Sequence, residues 1–149
     1  VCIKKTVDPL GNRTEVHLST RPNGKIRETI IVYNPANKLV SQKVSNGIDK
    51  KLGSVWKYTY ASDTIVIGEQ YTRYKKGRLF TDYITQHNLD GEITSSSYQM
   101  YRWGKKKYSQ NREFLYDDDG LLISRKLLRV DKKKSMGYVQ RVNYVKTKS

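Results

Sequence analysis

The sequence is short of almost everything that catalysis or covalent cross-linking would draw on. Its single cysteine, Cys2, excludes an internal disulfide, and with only His17 and His87 there is no Cys/His cluster for a structural zinc. No metal and no cofactor is expected. Long apolar runs are missing too: residues 30–33 and 65–67 form the longest, far below the ~20 residues that cross a bilayer as a helix. No transmembrane segment is expected. An initiator methionine is also absent. The chain begins at Val1 and its methionines are Met100 and Met136, so the 149 residues read as a processed or excerpted part of a longer chain, from which any targeting peptide would have been lost. Acidic residues are few as well. Asp and Glu number 14 against 29 Lys and Arg, a net charge of +15 that favours acidic proteins, polyanionic surfaces or anionic small molecules as partners.

What is abundant is tyrosine. Twelve Tyr and two Trp supply large amphipathic surface, although hydrophobic residues make up only 36% of the chain and its mean hydropathy is −0.77. The length suits one domain over residues 1–149. Turn-forming residues punctuate it at 8–12, 22–24, 34–37, 46–53, 61–63, 75–77, 90–91, 104–105, 117–120 and 131–135. That rhythm suits one strand and one tight connection each. Between the turns lie runs rich in Val, Ile, Thr and Tyr: 13–19, 26–33, 39–44, 54–60, 64–74, 78–87, 92–102, 108–116, 121–130 and 138–145. Only 121–130 also carries helical spacing. These features predict an all-β, antiparallel up-and-down meander of about nine to eleven strands.

Alternation assigns faces. Ile26, Glu28, Ile30 and Val32 share one side of their strand, as Trp56, Tyr58 and Tyr60 share one side of theirs. Opposite faces are partly apolar too, since Ile31 and Tyr33 back Ile30 and Val32, and Tyr101 and Trp103 back Tyr98 and Met100. A sheet of that width with two such faces is expected to close into a barrel or curve strongly. Trp56, Tyr58, Tyr60, Tyr98, Tyr101 and Trp103 would then line its interior.

Three resemblances bear on function. Asn23-Gly24-Lys25-Ile26, Lys76-Gly77-Arg78-Leu79, Asp90-Gly91-Glu92-Ile93 and Asp119-Gly120-Leu121-Leu122, the last preceded by Tyr116, resemble YD repeats of the RHS type and the Asn-Gly-Lys repeats of bacterial MORN-like proteins. That likeness implies surface display, shell-building or binding rather than catalysis. Gly53-Ser54-Val55-Trp56 and Thr81-Asp82-Tyr83 resemble the Gly-x-Trp and Thr-Asp-Tyr signatures of lipocalins, which implies a calycin-like ligand-binding barrel. Cys2, beside the start, resembles the lipid-carrying cysteine of bacterial lipoproteins, which implies the cell envelope or secretion.

The residues themselves offer no catalytic set. Asp117, Asp118 and Asp119 lack the alternate spacing and distal Glu of a calcium loop and read as a solvated hairpin turn. His87 has no Ser or Cys nucleophile in a recognised elbow. The chain therefore reads as non-catalytic, a binding or scaffolding module of β-hairpins displayed on or assembled with a larger structure. An alternative is a barrel for an anionic amphipathic molecule, with Arg73, Arg78 and Arg102 anchoring its carboxylate beside the interior aromatics. A third is single-stranded nucleic-acid binding through Trp103, Lys105, Lys106, Lys107 and Tyr108, where aromatics interleave with cations; the turn lysines 132–134 add to the same basic region.

Overall fold

The computed structural model describes residues 1–131 and 134–141. Eleven strands follow one another: β1 (Cys2–Val7), β2 (Arg13–Thr20), β3 (Ile26–Tyr33), β4 (Leu39–Asn46), β5 (Lys51–Tyr60), β6 (Val66–Lys75), β7 (Arg78–His87), β8 (Ile93–Arg102), β9 (Lys105–Tyr116), β10 (Leu122–Asp131) and β11 (Ser135–Arg141). Every pairing is antiparallel and between sequence neighbours, so the sheet order is the chain order. Among the described residues there is no helix. The segment with helical spacing forms β10, because a hairpin precedes it and both of its edges pair, with β9 and with β11.

Turn chemistry builds this meander. Five connections, at 8–12, 21–25, 34–38, 88–92 and 117–121, share one geometry. In each the first amide donates to the fifth carbonyl and the fourth amide donates to the first carbonyl. The fourth residue is left-handed: Gly11, Gly24, Asn37, Gly91 and Gly120 all have φ between 60 and 85°. This is a type I turn closed by a bulge at a residue of positive φ, one of the favoured hairpin loops. Four of the five open with Asp or Asn, whose side-chain oxygen ties the loop. Asp8 Oδ1 accepts from the amides of Leu10 and Asn12, and Asp117 Oδ1 from those of Asp119 and Leu121, all within 2.8–3.0 Å. Two other hairpins are tighter. Lys76–Gly77 and Trp103–Gly104 have φ of 52, 76, 56 and 75°, the two-residue turn whose twist matches that of the flanking strands.

The sheet is a single open layer and does not close or curl strongly, which corrects the expected barrel. Among the described residues the edge strands β1 and β11 have no partner on their outer sides. The reason lies in the faces. Cross-strand partners project to the same side of a sheet, so the pairings trace rows from strand to strand. One row runs Lys43, Val55, Thr72, Asp82, Gln99 and Ser109, and its neighbour runs Ser41, Lys57, Gln70, Ile84, Ser97 and Asn111. Closing with this face inward would bury Lys43, Lys57 and Asp82; closing with the other inward would bury Glu69, Arg73 and Arg112. An unpaired buried charge costs several kcal/mol, about what burying one or two large apolar side chains returns. Openness leaves little core: among the described residues Val44 is the one buried apolar side chain, and the buried polar ones, Ser45, Thr72 and Thr85, are scattered over β4, β6 and β7. The chain exposes 11048 Å², about 40% more than the roughly 7,900 Å² of a compact protein of this mass.

Candidate functional site

On the opposite face a row of aromatics crosses four consecutive strands. Trp56 pairs with Tyr71, Tyr71 with Tyr83 and Tyr83 with Tyr98, and the row continues through Gln110 to Arg129. Trp56 stacks on Tyr71 with ring centroids 4.1 Å apart. Tyr98 meets Tyr108 edge to face at 5.9 Å, and the Arg129 guanidinium lies 5.1 Å from the Tyr108 ring. Tyr58 and Arg73 flank the row on β5 and β6. Burial, with Glu69 beside it, raises the Tyr58 hydroxyl above the ordinary tyrosine value. Tyr60, raised chiefly by burial, donates to the Leu39 carbonyl at 2.6 Å. Among the described residues no second layer lies over this platform; Trp56, Tyr71 and Tyr98 are half-buried by their neighbours in the sheet, and Tyr83 at its centre is 42% exposed. The other face is polar, with Thr72 Oγ1 donating to Asp82 at 2.8 Å and Gln70 Nε2 donating at 3.1 Å.

The sequence-derived interior is therefore divided. Trp56, Tyr58 and Tyr98 share the aromatic face, whereas Tyr101 lies on the polar face and donates to Gln99 at 2.6 Å. Trp103 is not interior at all. It occupies the β8–β9 turn, 76% exposed, because the two-residue turn needs positive φ at that position and points the side chain away from the sheet. Nor do the three candidate arginines converge: Arg73 lies on the aromatic face, while Arg78 opens β7 and Arg102 ends β8. Lys105, Lys106 and Lys107 fall within β9 rather than in a loop, and Tyr108, the next residue, is engaged by Tyr98 and Arg129. Lys132 and Lys133 lie outside the described residues.

Topology creates a second feature that no local motif announces. Because the chain reverses at every strand, alternate connections emerge at opposite ends of the sheet. The end formed by 8–12, 34–38, 61–65, 88–92 and 117–121 carries Asp8, Asp63, Asp90, Glu92 and Asp117–Asp119, half of the chain's 14 acidic residues, against one base, Lys38. The other end, at 21–25, 47–50, 75–78, 102–105 and the described residues Asp131 and Lys134, carries nine bases against two acids, Asp49 and Asp131. The molecule is charged oppositely at its two ends.

Pairing also gathers Cys2, Glu15 and His17, whose donor atoms lie within 4.8 Å of one another, a set the sequence reading left out. Thiolate, carboxylate and imidazole are donors that zinc accepts. Here the carboxylate is already engaged, by His17 at 3.0 Å, Arg13 at 3.3 Å and Lys5 at 3.4 Å, and these contacts hold Glu15 below the ordinary glutamate value. The signal was the β1–β2 register, which pairs Cys2 with His17. His87 Nδ1 lies 3.2 Å from the Gly91 carbonyl, and its Nε2 lies 3.8 Å from Glu69.

No protein-family model matches the chain, and no curated protein is significantly similar to it.

Proposed function

We propose that the protein is a non-catalytic binding or scaffolding module whose uncovered aromatic face docks on a partner macromolecule within a larger assembly. The observation that carries this reading is the row Trp56, Tyr71, Tyr83 and Tyr98, set in register on one side of an open layer. Aromatic side chains supply much contact area for little conformational entropy, and they concentrate at the centres of interfaces. A solitary sheet face of this kind is only half of a sandwich. The small-molecule alternative has lost the enclosed interior on which it relied, and the nucleic-acid alternative has lost the proximity of Trp103 and Tyr108 to one platform.

Site-specific photocross-linking tests the proposal. A benzophenone amino acid placed at Tyr83, on the aromatic face, is expected to yield a discrete cross-linked product in the native host. The same group at Asn111, on the polar face, is expected to yield little. Equal products from both positions, or none from Tyr83, would reject it.

A further inference from the structure

We infer that the basic end of the sheet docks, turn tips first, on an anionic lipid surface. This is independent of what the aromatic face binds, since it uses the ends of the strands and not their side.

Charge is the first reason. Among the described residues Arg21, Lys25, Lys76, Arg78, Arg102 and Lys105 make no ion pair; they stand at the β2–β3, β6–β7 and β8–β9 tips, the last two of which are two strands, about 10 Å, apart, while Lys50 at the β4–β5 tip between the first two pairs with Glu28. Each cation near an anionic bilayer multiplies affinity by about five. The acidic end is repelled by the same surface, which fixes the orientation. Apolar tips are the second reason. Ile48 is 90% exposed and Trp103 76% exposed, at turns four strands, roughly 19 Å, apart. Trp103 holds φ at 56°, a left-handed conformation unfavourable to a bulky residue, in a turn that Asn or Gly would satisfy better. Strain held at an exposed tryptophan points to function, and tryptophan favours the bilayer interface. Exposed leucines, Leu10 and Leu89, also cap the other end, but they sit among carboxylates.

The third reason is a cleft of about 610 Å³ between the turns of this end. Lys25, Lys51 and Lys76 line it together with Ile48, Leu52 and Tyr74 and with one carboxylate, Asp49, which pairs with Lys51 at 3.5 Å and leaves Lys25 and Lys76 as the cations without an ion pair. Cations over an apolar floor suit a phosphate that carries a hydrocarbon tail. A nucleic acid would use the lysines and Trp103 but has no use for Ile48 or for that floor.

Vesicle flotation with the full chain at physiological salt tests the inference. Binding is expected to vesicles of phosphatidylcholine mixed with phosphatidylglycerol and not to phosphatidylcholine alone. Brominated acyl chains should quench fluorescence, and Trp103→Phe should weaken that quenching if Trp103 is the inserted residue. The double variant Ile48→Ser with Trp103→Asn should bind anionic vesicles about tenfold more weakly while its heparin binding stays unchanged. Leu10→Ser with Leu89→Ser, at the acidic end, should bind as the parent does. Unimpaired vesicle binding by the first double variant, equal loss in the second, or lipid binding without quenching would overturn the proposal and leave only unspecific attraction between a basic protein and polyanions. Because both pairs of substitutions are at exposed tips, circular dichroism of each should match the parent.

Discussion

Replacing Trp56 by alanine should be the most damaging aromatic truncation in this sheet. The indole is at least mostly covered, stacks on Tyr71 at 4.1 Å and sits in a central strand. Truncation returns about 100–150 Å² of apolar surface to water at about 25 cal/mol per Å², or about 3 kcal/mol, and forfeits about 0.5–1 kcal/mol of stacking. In a closed core the cavity left behind would add to this. Here one side of the ring faces open solvent, so no enclosed void forms. Residual compactness of the unfolded chain trims the transfer part, leaving an expected loss of about 3 kcal/mol. Urea unfolding followed by far-ultraviolet circular dichroism gives the measurement, with Trp56→Phe expected to recover most of the loss. Trp103→Asn serves as the counterpart, since relief at positive φ offsets the small burial of a side chain 76% exposed, and its effect should stay within about 0.5 kcal/mol. A loss below about 1 kcal/mol for Trp56→Ala, or equal effects at the two tryptophans, would show that the aromatic row does not hold the sheet together.

Other outcomes follow from the same geometry. Lys76→Asn should stabilise the protein by about 0.5–1 kcal/mol, because Lys76 is exposed at φ 52° and Asn-Gly is the preferred pair for its turn; thermal unfolding at lower midpoint would contradict this. Since Glu15 is held below its ordinary value, chiefly by its bond to His17, its contribution is present above about pH 4.5 and disappears as the pH falls through the lowered folded value. The protection of β1 and β2 amides, corrected for the intrinsic slowing of exchange at lower pH, should therefore fall on acidification in the parent, and Glu15→Gln should lack that step. Zinc should raise the melting temperature little, because Lys5 and Arg13 already hold the carboxylate of the Cys2, Glu15 and His17 group. A rise of several degrees that Cys2→Ser abolishes would show that the metal displaces them.

Much of the architecture is legible in the sequence because it is local. Asp8, Asn34, Asn88 and Asp117 set their loops through side-chain bonds spanning at most four residues, and Gly at a left-handed position marks seven of the ten connections. Hairpins joined this way can pair only with their neighbours, so an antiparallel meander follows from turn chemistry and β-branched runs. Strand β1 escaped that reading, for Cys2–Val7 has little alternation and becomes a strand by pairing with β2. Alternation likewise placed Trp56 and Tyr58 together, and Tyr101 opposite Tyr98. What local pattern could not supply was which residues of different strands meet, because a one-residue shift of register exchanges the faces of a strand. The aromatic row from Trp56 to Tyr98, the gathering of Cys2 with His17, and the dispersal of Arg73, Arg78 and Arg102 all depend on that register. Closure was decided by tertiary structure too, since it turns on the summed cost of burying every charge on a face, a quantity that no single strand contains. The opposed charges of the two ends arise in the same way: the acids and bases are written in the sequence, but only the alternation of turns between the ends of one continuous sheet separates them in space.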